Sequence, residues 1–119
     1  MKTRPRRRSV PGTRRFQLVL STCPDADVAK RIAHTVVAEG LAACVNIVSV
    51  AQSIYRWQGK IESASEQLLL MKAQARDFRA LEQRIKALHP YELPEIIAVG
   101  IDNGSKGYLA WLANPDKPS

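Results

Sequence analysis

The chain has 119 residues, 45% hydrophobic and 24% charged, with a formal net charge of +7. That length supports one hydrophobic core rather than two, and its uninterrupted apolar runs fall far short of the roughly 20 residues a membrane-spanning helix needs. Residues 1–15 hold seven of the 18 basic residues and none of the 11 acidic ones, so the rest of the chain is neutral and gives no electrostatic reason to expect a nucleic-acid surface.

Residues 1–15 form a basic extension. Prolines, a glycine and clustered arginines cannot bury a core, and disorder is expected there. The segment is Arg-rich and free of acids, as targeting peptides are, but it is short and has no apolar face, so a plain flexible extension is the preferred reading. The folded domain is expected over residues 16–114, with 115–119 as a tail.

Residues 16–22, FQLVLST, read as a short strand with Phe16, Leu18 and Leu20 on one face and Val19 on the other, which suits a central position. Cys23-Pro24-Asp25 turns the chain into a helix over 26–39. Val28, Ala29, Ile32, Ala33, Val36 and Val37 form its apolar stripe. Gly40 ends it. His34 lies on the opposite face and is read as solvated.

Residues 43–73 are the stretch around which the chain is organised. They predict two long strands joined at Trp57-Gln58-Gly59-Lys60. Each arm is about fifteen residues, against about five or six for an ordinary strand, so the hairpin overhangs a small domain. In the first arm the apolar phase slips from Val45 and Ile47 to Val48 and Val50, and back to Tyr55 and Trp57. That slip predicts a bulge or bend and leaves apolar residues on both faces. The second arm is polar at Glu62–Gln67 and apolar at Leu68–Met71. Its polar half is expected to overhang.

Residues 76–88 predict a second amphipathic helix carrying Phe78, Leu81, Ile85 and Leu88, ended by His89-Pro90. Tyr91–Glu95 form a stiff charged loop. Residues 96–101, IIAVGI, predict a buried strand, and 106–113 a last short helix. Strand, helix, strand, strand, helix, strand is the α+β ferredoxin-like split βαβ order, here with a C-terminal helix added. An antiparallel sheet with its helices on one face is expected.

Catalytic sets are sparse. The turn after the first strand is Ser21-Thr22-Cys23-Pro24-Asp25, not a glycine-rich phosphate loop, and no nucleophile–base pair is evident, so a non-enzymatic protein is expected. The two cysteines, Cys23 and Cys44, fall in different elements and read as free thiols in a reducing compartment, which points to the cytoplasm. Polar and aromatic residues gather in two places: Tyr55, Arg56, Trp57, Lys60 and Glu62 near the hairpin tip, and His89, Tyr91, Glu92 and Glu95 after the second helix. Both an oligomer interface and a binding cleft at that interface fit these residues.

The segments LSTCPD (20–25), AEGLAACVNIVSVAQSIYRWQGKIE (38–62), LLLMKAQ (68–74), LHPYELPEIIAV (88–99) and YLAWL (108–112) resemble the CutA divalent-cation tolerance proteins. The resemblance implies a ferredoxin-like fold and a homotrimer in which neighbouring hairpins pair. It also implies a role in the response to metal ions, with copper or another divalent cation as ligand. In the family's copper pattern a Cys lies in the first strand and a His-His pair precedes Pro-Tyr. Here Ser21 and Leu88 occupy two of those positions and His89 alone is kept, with Cys23 two residues beyond Ser21 as a possible substitute. The architecture also resembles the PII signalling trimers. That likeness implies an alternative, a regulatory or scaffold trimer that binds an anionic small molecule or a protein in clefts lined by Tyr55, Trp57, Lys60, Lys72, Tyr91 and Glu95.

Overall fold

A computed structural model describes residues 15–117; the expectation for the basic leader falls on residues outside that range. The elements are β1 (Phe16–Cys23), α1 (Ala26–Ala38), β2 (Cys44–Trp57), β3 (Lys60–Gln74), α2 (Phe78–Leu88), β4 (Ile97–Gly100) and α3 (Lys106–Ala113), with a single 3-10 turn at Ala75–Asp77 before α2. The four strands form one antiparallel sheet in the order β2-β3-β1-β4. That order sets β3 between β1 and β2, which is the split βαβ arrangement of the ferredoxin-like fold.

Local chemistry sets the element boundaries. The Asp25 carboxylate accepts a hydrogen bond from the Val28 backbone N–H at 2.9 Å and caps α1. At the other end Gly40 adopts φ +73°. Its N–H donates to the Val37 carbonyl, and the Leu41 N–H donates to the Val36 carbonyl. This Schellman arrangement satisfies two carbonyls that the helix leaves open. At the hairpin tip Gln58 and Gly59 have φ of 50° and 81°, between the paired residues Trp57 and Lys60. Two successive positive φ values make the primed two-residue turn whose twist matches the strands it joins.

The core lies between the sheet and the two long helices. Val19 and Cys23 of β1 and Leu69 and Met71 of β3 meet Ile32 and Val36 of α1 and Leu81 and Ile85 of α2, all buried. Arg84 of α2 reaches Glu39 at the end of α1, with Nε 3.0 Å from Oε1. Both groups are well exposed, so this pair adds little.

The bulge falls where the phase slip predicts it. Val48 pairs with Leu68 and Ala51 with Glu66, so Ser49 and Val50 stand opposite Gln67 alone. One extra residue on β2 keeps alternate side chains in step with β3 on both sides of the break.

Two expectations need correction. The strand over 96–101 was expected to be buried, yet β4 spans only Ile97–Gly100 and Ile97 and Val99 are exposed. It pairs with β1 from Gln17 to Leu20 and stands at the sheet edge, with no described strand beyond it. An apolar run records that a surface wants cover, not whether the same chain supplies it. The helices were expected on one face, and α1 and α2 obey this, but α3 does not. The Gln74 side chain donates to the Ala113 carbonyl at 3.2 Å, and the Tyr108 phenol lies near the Cys44 thiol. Strand pairing puts Gln74 and Cys44 on the face opposite Met71, so α3 docks on the far side of the sheet.

Candidate functional site

Beyond the end of β1 the hairpin continues alone. Residues Lys60–Glu66 of β3 pair only with β2, while Gln67–Gln74 pair with β1 and, from Leu68 to Lys72, with β2 as well. In antiparallel strands directly paired residues share a face. The pairs Ala51–Glu66, Tyr55–Glu62 and Trp57–Lys60 therefore lie on one side of the overhang, and Ile54–Ser63 and Arg56–Ile61 on the other.

The loop after α2 closes against the first of these sides, and His89 anchors it. The residue is 8% exposed, and its backbone N–H ends α2 on the Ile85 carbonyl at 2.9 Å. Its ring Nε2 lies 2.8 Å from the Thr22 carbonyl oxygen, and its Nδ1 accepts from the Tyr91 N–H at 3.1 Å. A carbonyl only accepts and an amide N–H only donates, so the network assigns the proton to Nε2 and leaves Nδ1 bare. The Tyr91 ring packs on the imidazole with centroids 4.7 Å apart, and its hydroxyl donates to Glu66 Oε2 at 2.7 Å. Burial, then the hydrogen bond to Glu66 and its charge, push the Tyr91 phenol well above its ordinary range.

Between hairpin and loop lies a cavity of about 730 Å³. Tyr55, Trp57, Glu62 and Glu66 line it from the hairpin, and Tyr91 and Glu95 from the loop. Thr22 at the end of β1 and Glu92 complete the acidic end. The structure thus brings together Tyr55, Trp57, Tyr91 and Glu95 of the expected cleft. Lys60 and Lys72 do not line it. Lys72 lies instead on the sheet face with Cys44 and Asn46, donating to the Asn46 side-chain oxygen and lying 3.9 Å from the Cys44 sulfur. A lining with four carboxylates and no basic residue gives no support to an anionic ligand.

The expected metal residues share one end of β1 but do not make a donor set. Both nitrogens of His89 are engaged, so ligation requires breaking one of these bonds. Cys23 is fully buried, and desolvation, followed by the charges of Asp25 and Glu66, pushes its thiol up to about 11. A thiol held protonated is a poor metal ligand and nucleophile. Ser21 faces the core with its hydroxyl oxygen unpartnered, and Leu88 packs against the core. Among the described residues no group of three or more His, Cys, Asp or Glu is placed to hold an ion. The residues present do not fit copper.

Glu66 and Thr22, with Gln52, Ser53 and Ile54 of β2, are the lining residues that sequence reasoning misses. Glu66 sits in a polar run that reads as solvated, and its partner Tyr91 is 25 residues away. The one local signal is that Glu66 is the last acid before the apolar run Leu68–Met71.

The sheet order and the overhanging hairpin define a ferredoxin-like α+β protein with a cleft between the overhang and the loop after α2. A family description, CutA1 divalent ion tolerance protein, matches residues 17–115. The divalent-cation tolerance protein CutA of Thermus thermophilus is 51% identical over 96 residues, covering 81% of this chain and 93% of its own. Protein CutA of Mus musculus is 45% identical over 103 residues, covering 87% of this chain, which spans only 57% of that longer relative. The crystal structure of CutA1 from Oryza sativa matches with a TM-score of 0.83 at 40% identity, covering 88% of this chain and 96% of that one. The chain belongs to the CutA1 divalent ion tolerance family. An Arabidopsis thaliana relative is named chloroplastic and an Archaeoglobus fulgidus structure periplasmic, so membership does not fix a compartment. Among the described residues no helix is long and apolar enough to cross a membrane.

Proposed function

We propose that the chain acts in the response to divalent cations as a cytoplasmic homotrimer with no catalytic activity of its own. Membership of the tolerance family carries this reading. Support for assembly comes from the unfinished surface of the single chain. The outer edges of β2 and β4 have no described partner strand, and Ile54, Ile61, Ile97 and Val99 are exposed beside them. Unpaired edges flanked by apolar side chains are costly to leave in water. Cyclic association of identical chains hides both edges at once. Two cysteines that form no disulfide are compatible with a reducing compartment.

Native mass spectrometry with metal analysis of the purified chain tests the assembly and the ligand together. A three-chain mass is expected; a monomer at micromolar concentration overturns the trimer. Copper titration of the chain and of His89→Ala tests the ligand. With both imidazole nitrogens engaged, equal uptake is expected, and tolerance then acts by a route other than tight binding at His89. A loss of uptake in the variant assigns His89 as a ligand. Restored growth of a metal-sensitive strain by the chain supports the tolerance role, and no rescue counts against it.

A further inference from the structure

Glu66 is 7% exposed, and its charge has no compensation within the described chain. Tyr91 donates to Oε2, no described donor reaches Oε1, and no Lys, Arg or His lines the cavity it faces. One phenol leaves most of the hydrogen-bonding capacity of a carboxylate open to whatever occupies the cavity. The cavity beside it has the volume of small-molecule sites. Its walls carry Trp57, Tyr55 and Tyr91, whose ring faces attract cations.

The nature of the cation follows from how the charges are spread. Glu62, Glu92 and Glu95 join Glu66 along the cavity, but no three of these carboxylates converge on a point where an inorganic ion could sit. Dispersed carboxylates between aromatic walls suit an extended cation that has apolar segments between its charges. We propose that this cleft binds an organic ammonium ligand, with Glu66 accepting from the ammonium N–H and Trp57 covering the alkyl body. One chain supplies all of these residues, so the site is complete without a neighbouring chain, and the proposal is independent of the metal-response reading.

The test is titration of the full chain with spermidine, followed by calorimetry and tryptophan fluorescence at low salt, with hexanoate and magnesium chloride as controls. Saturable binding of spermidine is expected, with no binding of hexanoate. Glu66→Gln keeps an acceptor for Tyr91 but removes the charge, and it should weaken binding about tenfold, the scale of one charge-assisted hydrogen bond. Trp57→Leu should weaken it as well. Glu82→Gln, on α2 and outside the lining, should leave it unchanged. Circular dichroism confirms that each variant folds. Absence of saturable binding overturns the proposal, as does equal binding by Glu66→Gln or equal competition by magnesium. If Glu66→Gln dissociates the assembly while spermidine still binds, the charge is met by a neighbouring chain and the proposal also fails.

Discussion

The two halves of β3 share one strand and live in different surroundings. From Gln67 to Gln74 it is a central strand, and Leu69, Met71 and Ala73 alternate into the core beneath α1 and α2. From Lys60 to Glu66 it pairs with β2 alone, and Ile61 there is 73% exposed, with Ile54 on the same face of β2 at 72%. The first half is completed by its own chain. The second is mostly polar, and its apolar residue Ile61 has nothing from the described chain over it. Strand pairing therefore holds the hairpin's shape, while this chain leaves its apolar side chains in water. The cleft runs along the overhang from Glu66 toward Trp57, where the loop after α2 closes against it.

The largest effect should separate the two halves by stability. Leu69→Ala empties a fully buried site and should cost about 3 kcal/mol in denaturant unfolding. A cost below about 1 kcal/mol would mean that the body is not where stability resides. Next comes the joint between the halves. His89→Ala leaves the Thr22 carbonyl and the Tyr91 amide without partners and should cost about 2 kcal/mol. The same change should raise hydrogen exchange across residues 89–95 while sparing β1 and α1. Uniform loss of protection would show that the loop is not a separate unit.

This contrast also explains what could be read from the sequence. Periodicity placed the helices, because Ile32 and Val36, and Leu81 and Ile85, repeat at helical spacing on one face. The slip between Ile47 and Val48 located the bulge, because a change of phase in a half-buried strand has few other outcomes. These are local signals. The Glu66–Tyr91 hydrogen bond, the double engagement of His89 and the docking of α3 on the far face join residues distant in sequence, and no spacing encodes them. The exposure of β4 is not legible in IIAVGI, because an apolar run describes a surface in need of cover without saying what covers it. The PII likeness places Lys72 in the cleft, whereas its pairing with Cys44 sets the side chain on the sheet face beside Asn46.

A smaller effect at alkaline pH should report on the boundary. In the folded chain Cys23 holds its proton up to about 11, against an ordinary value of 9.0. The unfolded chain therefore releases it first. The stabilisation is complete below about 9 and is lost as pH rises toward 11. The ceiling is about 1.4 kcal/mol per pH unit, lowered by screening where water reaches the end of β1. Cys23→Ala should flatten the slope of stability against pH in that window, apart from any constant loss due to the smaller side chain. An unchanged slope would assign the alkaline loss to other groups. Tyr91 acts in the same direction, because its phenol is also pushed up.

The smallest effect on folding should come from the overhang. Ile61→Thr keeps a β-branched side chain on the strand and removes apolar surface that this chain leaves in water. The folding free energy per chain should change by less than about 0.5 kcal/mol, as for a surface site. Assembly should respond more strongly, because exposed apolar area of this kind yields its free energy only when a second chain covers it. Sedimentation at falling concentration should show the variant dissociating before the parent, with its thermal midpoint becoming the more concentration-dependent of the two. A variant that unfolds sooner yet keeps the parent's assembly would place Ile61 in the stability of the single chain, and the division between a self-sufficient body and an unfinished hairpin would be lost.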